Sequence, residues 1–231
     1  MINKRCRLIP IFFLSHILIF AQQKNSNDYY SRLTLKNYTK DSQFNESIDF
    51  DHIDITRLDA AVFFVANEQR AKYKLPLLAF APELEKMALM HSKDMFEENF
   101  FSHENPSNKK KKTPDDRAGL VGIINPYIAE NIAQVFGLQY TSNSDVAFRG
   151  PGKFSYKPDG NLIPPHTYLS FAQMVVNYWM HSSGHRRNIL SKDAIQLGCG
   201  AYFYRNKSFN EMPVFNVTQN FQCFESIKST M

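Results

Sequence analysis

Residues 167–223, TYLSFAQMVVNYWMHSSGHRRNILSKDAIQLGCGAYFYRNKSFNEMPVFNVTQNFQC, decide the fold, because the hydrophobic period changes within them. Phe171, Met174, Val175 and Tyr178 recur at the three-and-four spacing of a helix that begins near Thr167, and Gly184 is the expected C-cap. After Arg186–Leu190 the period becomes two. Ile195, Leu197, Cys199, Ala201 and Phe203 share one face of a strand, and Phe215, Val217, Gln219, Phe221 and Cys223 share one face of the next. The polar stretch Arg205–Pro213 between them is a hairpin loop. If Tyr204 pairs with Val214, then Cys199 stands opposite Gln219 and Cys223 opposite Ile195. The cysteines are then about four residues out of register, roughly 13 Å at about 3.3 Å per residue, whereas a disulfide needs Cα atoms within about 7 Å. Both are expected to be free, buried thiols.

Upstream, the period is helical. Leu58, Ala61, Val62, Val65 and Ala66 form a stripe after Thr56, a plausible N-cap, and Pro76 ends that helix. A second helix opens at Pro82-Glu83 and buries Leu84, Met87, Ala88, His91 and Met95, so His91 is read as a core histidine. Helices come first and strands last, which implies an α+β fold with helices packed on an antiparallel sheet. Residues 104–128, with Pro106, Pro114, Gly119, Gly122 and Pro126, read as loop. An irregular, aromatic-rich insertion spans about 137–166.

The ends carry less periodicity. Residues 1–21 read as a cleaved secretory signal: Lys4, Arg5 and Arg7 precede the apolar run LIPIFFLSHILIF, and Ala21 supplies a small residue for cleavage. That run is short for a span of about 20 apolar residues and is broken by Ser15 and His16, so no permanent membrane span is expected. The expected location is secreted or periplasmic. Residues 22–54 read as a polar linker or arm, 55–225 as one folded domain, and 226–231 as a tail. The formal net charge is +5, and the leader takes three basic residues with it. Lys109-Lys110-Lys111-Lys112 is followed at once by Asp115 and Asp116, a solvated loop with its own counter-charges. Nucleic acid is therefore excluded as a partner.

Three residues carry the candidate chemistry: His103 in FFSH, Glu130 in AENIA and His185 in SSGHRRNIL. Only a folded cleft could bring them together. Two imidazoles and a carboxylate, with one position open, make a ligand set for Zn²⁺ or a similar divalent metal. His181, at a helix end, is expected to be exposed, and His166 lies inside the insertion.

FVANEQRAKYKLPLL, PELEKMALMHSKDM, FFSH, DDRAG, AENIA, YWMHSSGHRRNIL and LGCG followed by VTQNF resemble, in that order, the CAP superfamily of cysteine-rich secretory, antigen 5 and pathogenesis-related 1 proteins. The resemblance spans about residues 56–224 and is closest to the prokaryotic type. It implies an α-β-α sandwich with a cleft of two histidines and two acids, falling here on His103, Glu130 and His185. The fourth position, three residues after Trp179, is Ser182 rather than an acid. An unactivated hydroxyl cannot serve as general base at neutral pH, so turnover is disfavoured. Asn131, Arg117 and Arg186 are expected to support the cleft, with Arg186 able to form a bidentate pair with a carboxylate. The reading that follows is an exported binding module for a lipid, peptide or protein ligand, and the alternative is a metal-assisted, protease-like hydrolase.

Overall fold

The computed structural model describes residues 27–141 and 143–230; the leader read at residues 1–21 lies outside them. The chain opens with helix α1 (Asn27–Arg32) and two 3-10 turns, Tyr38–Lys40 and Ser42–Asn45. Tyr29, Leu33, Tyr38, Phe44 and Ile48 from this stretch are buried in the main core. Of the two readings, linker or arm, these residues follow the second: they lie on the domain as an arm that contributes to its core well before Ile55. Their anchors are single aromatic and aliphatic residues at uneven spacing, which leave no helical or strand period to read.

Helix α2 (Ile55–Lys72) is capped by Asp54, whose side chain accepts from the Arg57 N–H at 2.9 Å, and not by Thr56, which is already helical. Leu58, Ala61, Val62, Val65 and Ala66 are all buried, as their stripe requires. Strand β1 (Ala79–Phe80) is followed by helix α3 (Pro82–Glu97). Helix α4 (Pro114–Leu120) interrupts the stretch expected to be loop. It was legible locally: Thr113 and Asp116 form a reciprocal capping box and Pro114 occupies the first turn. Then come β2 (Ile128–Phe136), the hairpin β3 (Ala147–Gly150) and β4 (Lys153–Ser155), helix α5 (Tyr168–His181), helix α6 (Ser183–Ile189), β5 (Ala194–Asn206) and β6 (Met212–Cys223). Gly184 does not cap α5. Ser182 turns the chain with extended backbone, and Gly184 sits inside α6.

The four-stranded sheet has the order β1-β5-β6-β2, antiparallel except for the short β1 alongside β5. Leu197, Cys199, Ala201, Phe215, Val217 and Phe221 face α2 and α5 in the main core. On the opposite face α3 lies directly on β5, over Gly198 and Gly200. A Cβ at either glycine would come 2.1 Å from a backbone nitrogen of α3, at Glu85 and Leu89 respectively. Helices thus cover both faces, giving an α-β-α sandwich.

Tyr204 pairs with Val214 and Cys199 with Gln219, as the hairpin alternation requires. A bulge between Ala194 and Gln196 moves Cys223 opposite Ala194 rather than Ile195. Cys199 and Cys223 are both free and buried. The insertion is more ordered than its composition implies: Leu138, Phe154 and Ile163 join Met212 and Val214 in a small core of their own.

Candidate functional site

The candidate site is built on β2, the sheet's edge strand. Glu130 points from β2 toward α3 and α4 and its side chain is almost wholly buried. Its Oε1 accepts from His103 Nδ1 at 3.0 Å, and its Oε2 lies 2.8 Å from the Arg117 guanidinium, which is itself fully buried. The Asn220 amide, oriented to satisfy both its ends, also donates to Oε2 at 3.0 Å. His91 Nε2 stands 3.7 Å from Oε1.

Local structure sets each of these groups. Asn99 ends α3 in the left-handed conformation (φ 53°), with the Asn99 N–H bonded to the Phe96 carbonyl and the Phe100 N–H to that of Met95. That Schellman closure turns FFSH back toward β2 and brings His103 over Glu130. Arg117 also donates to the His103, Lys111 and Lys112 carbonyls, tying the lysine-bearing loop to the same carboxylate. On the other side α6 runs along the edge of β2. Asn188 donates to the Glu130 carbonyl at 3.1 Å and to Asn131 Oδ1 at 2.9 Å, while Asn131 donates to the His185 carbonyl at 3.2 Å. His103 and His185 therefore approach the Glu130–Asn131 step from two different elements, the loop after α3 and helix α6.

Burial by itself would raise the pKa of Glu130. The His103 hydrogen bond, the His91 charge and the Arg117 guanidinium outweigh it and hold the carboxyl below its ordinary value. An ionised carboxylate only accepts, so His103 Nδ1 carries a proton and its Nε2 is left for other partners. His103 is half exposed. Burial, opposed only in part by Glu130, pushes His91 down to about 4. It is neutral at pH 7, and its Nε2, 2.9 Å from the Ser102 carbonyl, is the donor. Burial and then the His103 charge lower the pKa of His185.

The other sequence-read positions divide clearly. Arg117 and Asn131 belong to the site. Arg186 is exposed and donates to the Met180 carbonyl at 3.3 Å rather than forming a carboxylate pair, because α6 aims it back at the end of α5. Ser182 is the hinge residue between α5 and α6 and makes no side-chain cap bond to α6. His166 bonds Ser170 at 3.0 Å beyond the far end of β2, and His181 is exposed. His91, read only as core, and Asn220 were missed as neighbours of Glu130. Their one sequence signal was membership of the segments PELEKMALMHSKDM and VTQNF.

Among the described residues no group of three or more His, Cys, Asp or Glu side chains is placed to hold a metal ion. Glu130 gives the reason. Its two oxygens already accept from His103, Arg117 and Asn220, and a cation would have to enter beside a buried guanidinium. To serve as a direct metal ligand Glu130 would first have to give up one of these partners.

This arrangement has relatives. The model of the cysteine-rich secretory protein family, CAP, matches residues 63–221. The chain belongs to that family. The match begins inside α2, so α1 and the 3-10 turns that CAP residues 63–221 pack against precede it. An uncharacterised protein of Bacillus subtilis strain 168, YkwD, is 27% identical over 146 residues, covering 63% of this chain and 43% of its own. Among solved structures, an extracellular SCP-domain protein from Bacillus anthracis is 25% identical with a TM-score of 0.48, over 74% of this chain and 42% of that one. A cysteine-rich secretory protein from Staphylococcus aureus is 12% identical with a TM-score of 0.43, over 71% and 38%. The chain spans less than half the length of each of these three relatives.

Proposed function

We propose that this CAP domain is an exported binding module whose cleft, between FFSH and the start of α6, presents the His103 and His185 imidazoles to a lipid, peptide or protein ligand. The observation that carries the reading is the saturation of Glu130. A carboxylate held below its ordinary pKa, buried and bonded on both oxygens, is a poor general base. Its work is to orient His103, leaving one ring nitrogen directed away from the protein's own network. Ser182, in place of a second acid, adds no base. The basic and apolar leader read at residues 1–21 supports export, and among the described residues no helix is long and apolar enough to cross a membrane.

The hydrogen bond from His103 to Glu130 favours a second, narrower reading. A carboxylate behind an imidazole is a common support for a metal-binding histidine, so a divalent ion such as Zn²⁺ would be held by His103 and His185 with Glu130 behind them. One experiment separates the readings. Purified protein is titrated with Zn²⁺ and with a panel of fatty acids, sterols and peptides, and a mixed peptide pool is assayed for cleavage with and without metal. Ligand binding weakened by His103→Ala, without cleavage, is the expected result. Metal-dependent cleavage abolished by His103→Ala would overturn the binding-module reading in favour of a hydrolase.

A further inference from the structure

At the C-terminal end of α3 a groove of about 660 Å³ lies between the turn into FFSH and the tip of the β5–β6 hairpin. Aromatic rings form much of its wall and remain open to water. Phe96 stacks on Tyr204 with ring centroids 4.3 Å apart, yet it is 43% exposed, and Phe101 is 51% exposed. Large apolar rings that stay exposed and gather in one concavity mark a binding surface, whereas single exposed apolar residues are ordinary.

The polar groups of this groove are mostly uncharged and unclaimed. Asn99 holds the left-handed position that closes α3 (φ 53°), and its amide has no hydrogen-bond partner among the described residues. Asn206 spends its Oδ1 on the turn after β5, accepting from the Ser208 N–H at 3.0 Å. Its Nδ2 and the Ser208 hydroxyl are left without partners among the described residues. No Asp or Glu among the described residues lines the groove. Arg205 is tied to Asp51 at 2.8 Å, so Lys207 is the one cation of the lining without an ionic partner among the described residues.

We propose that this groove binds a carbohydrate chain, with sugar rings laid against Phe96 and Phe101 and their hydroxyls bonded by Asn99, Asn206 and Ser208. The lining selects the class of ligand. A sugar ring carries C–H groups on its faces, and their partial positive charge meets the negative face of an aromatic ring. Its rim of hydroxyls both donates and accepts, as amide and hydroxyl side chains do. A lipid chain would gain little from an open groove lined in part by amides. The bases of a single-stranded nucleic acid could stack here, but its phosphates need a line of cations where Lys207 stands alone. The groove is separate from the cleft of His103 and His185, and its ligand does not depend on what that cleft binds.

Titration of the full chain with hexamers of glucose, N-acetylglucosamine and galacturonic acid, followed by backbone amide NMR shifts, tests this. At least one hexamer should give saturable shifts centred on residues 99–101 and 206–208. Phe96→Ala and Phe101→Ala should each weaken its binding by about three- to tenfold. Asn99→Gly keeps the left-handed backbone and removes only the amide, and should weaken binding to a similar degree. All three side chains are exposed, so the variants should unfold together with the wild type, and Phe101→Tyr, which keeps the ring, should bind as the wild type does. Four results would each overturn the proposal: no saturable shift with any of the hexamers, shifts centred on His103 and His185 instead, undiminished binding in both alanine variants, or equal affinity for a thymidylate hexamer. The second would place the sugar in the cleft and so tell the two sites apart.

Discussion

Arg117 holds Glu130 from beneath: the guanidinium lies 2.8 Å from Oε2, and both side chains are shut away from solvent. The pair comes from α4 and β2, so it fastens a short helix that has little core of its own to the edge of the sheet. Removing one partner strands the other charge.

Arg117→Met should therefore cost about 3–5 kcal/mol in urea unfolding, because an uncompensated buried carboxylate remains. Arg117→Met with Glu130→Leu should recover much of that loss, since neither charge is then buried. A double variant no more stable than the single would show that the guanidinium acts through the His103, Lys111 and Lys112 carbonyls instead.

Acid should weaken the fold in two stages. His91 titrates near 4 in the folded state and near 6.5 when unfolded, so between those values the unfolded chain binds more protons and stability falls as pH drops. The shift corresponds to roughly 3 kcal/mol. Glu130, depressed in the fold, contributes stability that is present above its unfolded pKa and is lost as pH falls through its lower folded value. Unfolding free energies measured from pH 7 to 3.5 should show the first decline flattened in His91→Gln and retained in His103→Gln.

Cys199 and Cys223 should both be found as thiols by alkylation and peptide mapping of denatured, unreduced protein. Cys199 lies opposite Gln219, whose amide donates to its sulfur at 3.7 Å, and Cys223 lies opposite Ala194. Burial pushes both thiols up, so native protein should react slowly, Cys199 more slowly than the slightly exposed Cys223. Recovery of a Cys199–Cys223 peptide would contradict the hairpin register.

Gly200→Ala should be among the most damaging single changes. The added methyl would sit 2.1 Å from the Leu89 nitrogen, and a helix backbone cannot yield as a flexible side chain can. Destabilisation of about 3 kcal/mol or more, or loss of soluble protein, is expected. Gly184→Ala, with nothing within 4 Å, is the control and should be neutral or mildly stabilising.

The sequence by itself determined the layers. The three-and-four stripes of Leu58 to Ala66, Leu84 to Met95 and Phe171 to Val175, and the period of two on either side of the hairpin, each record which face is buried, although Tyr178, read on the last of these stripes, is exposed. Register followed too, because one residue of slip would turn every apolar side chain of β5 outward. The motif residues His103, Glu130 and His185 were legible as candidates, but their roles were not. Glu130 is a metal ligand, a general base or a fastening carboxylate according to what meets its two oxygens, and those partners come from α4, from the loop after α3 and from β6. The same holds for His91, whose place on a buried stripe was plain while its neighbour Glu130 was not. It holds also for residues 28–50, whose scattered aromatics gain meaning only against the core that receives them. Tertiary structure alone decided these points, because hydrogen-bond saturation and shared burial depend on groups distant in the chain, and no local period encodes them.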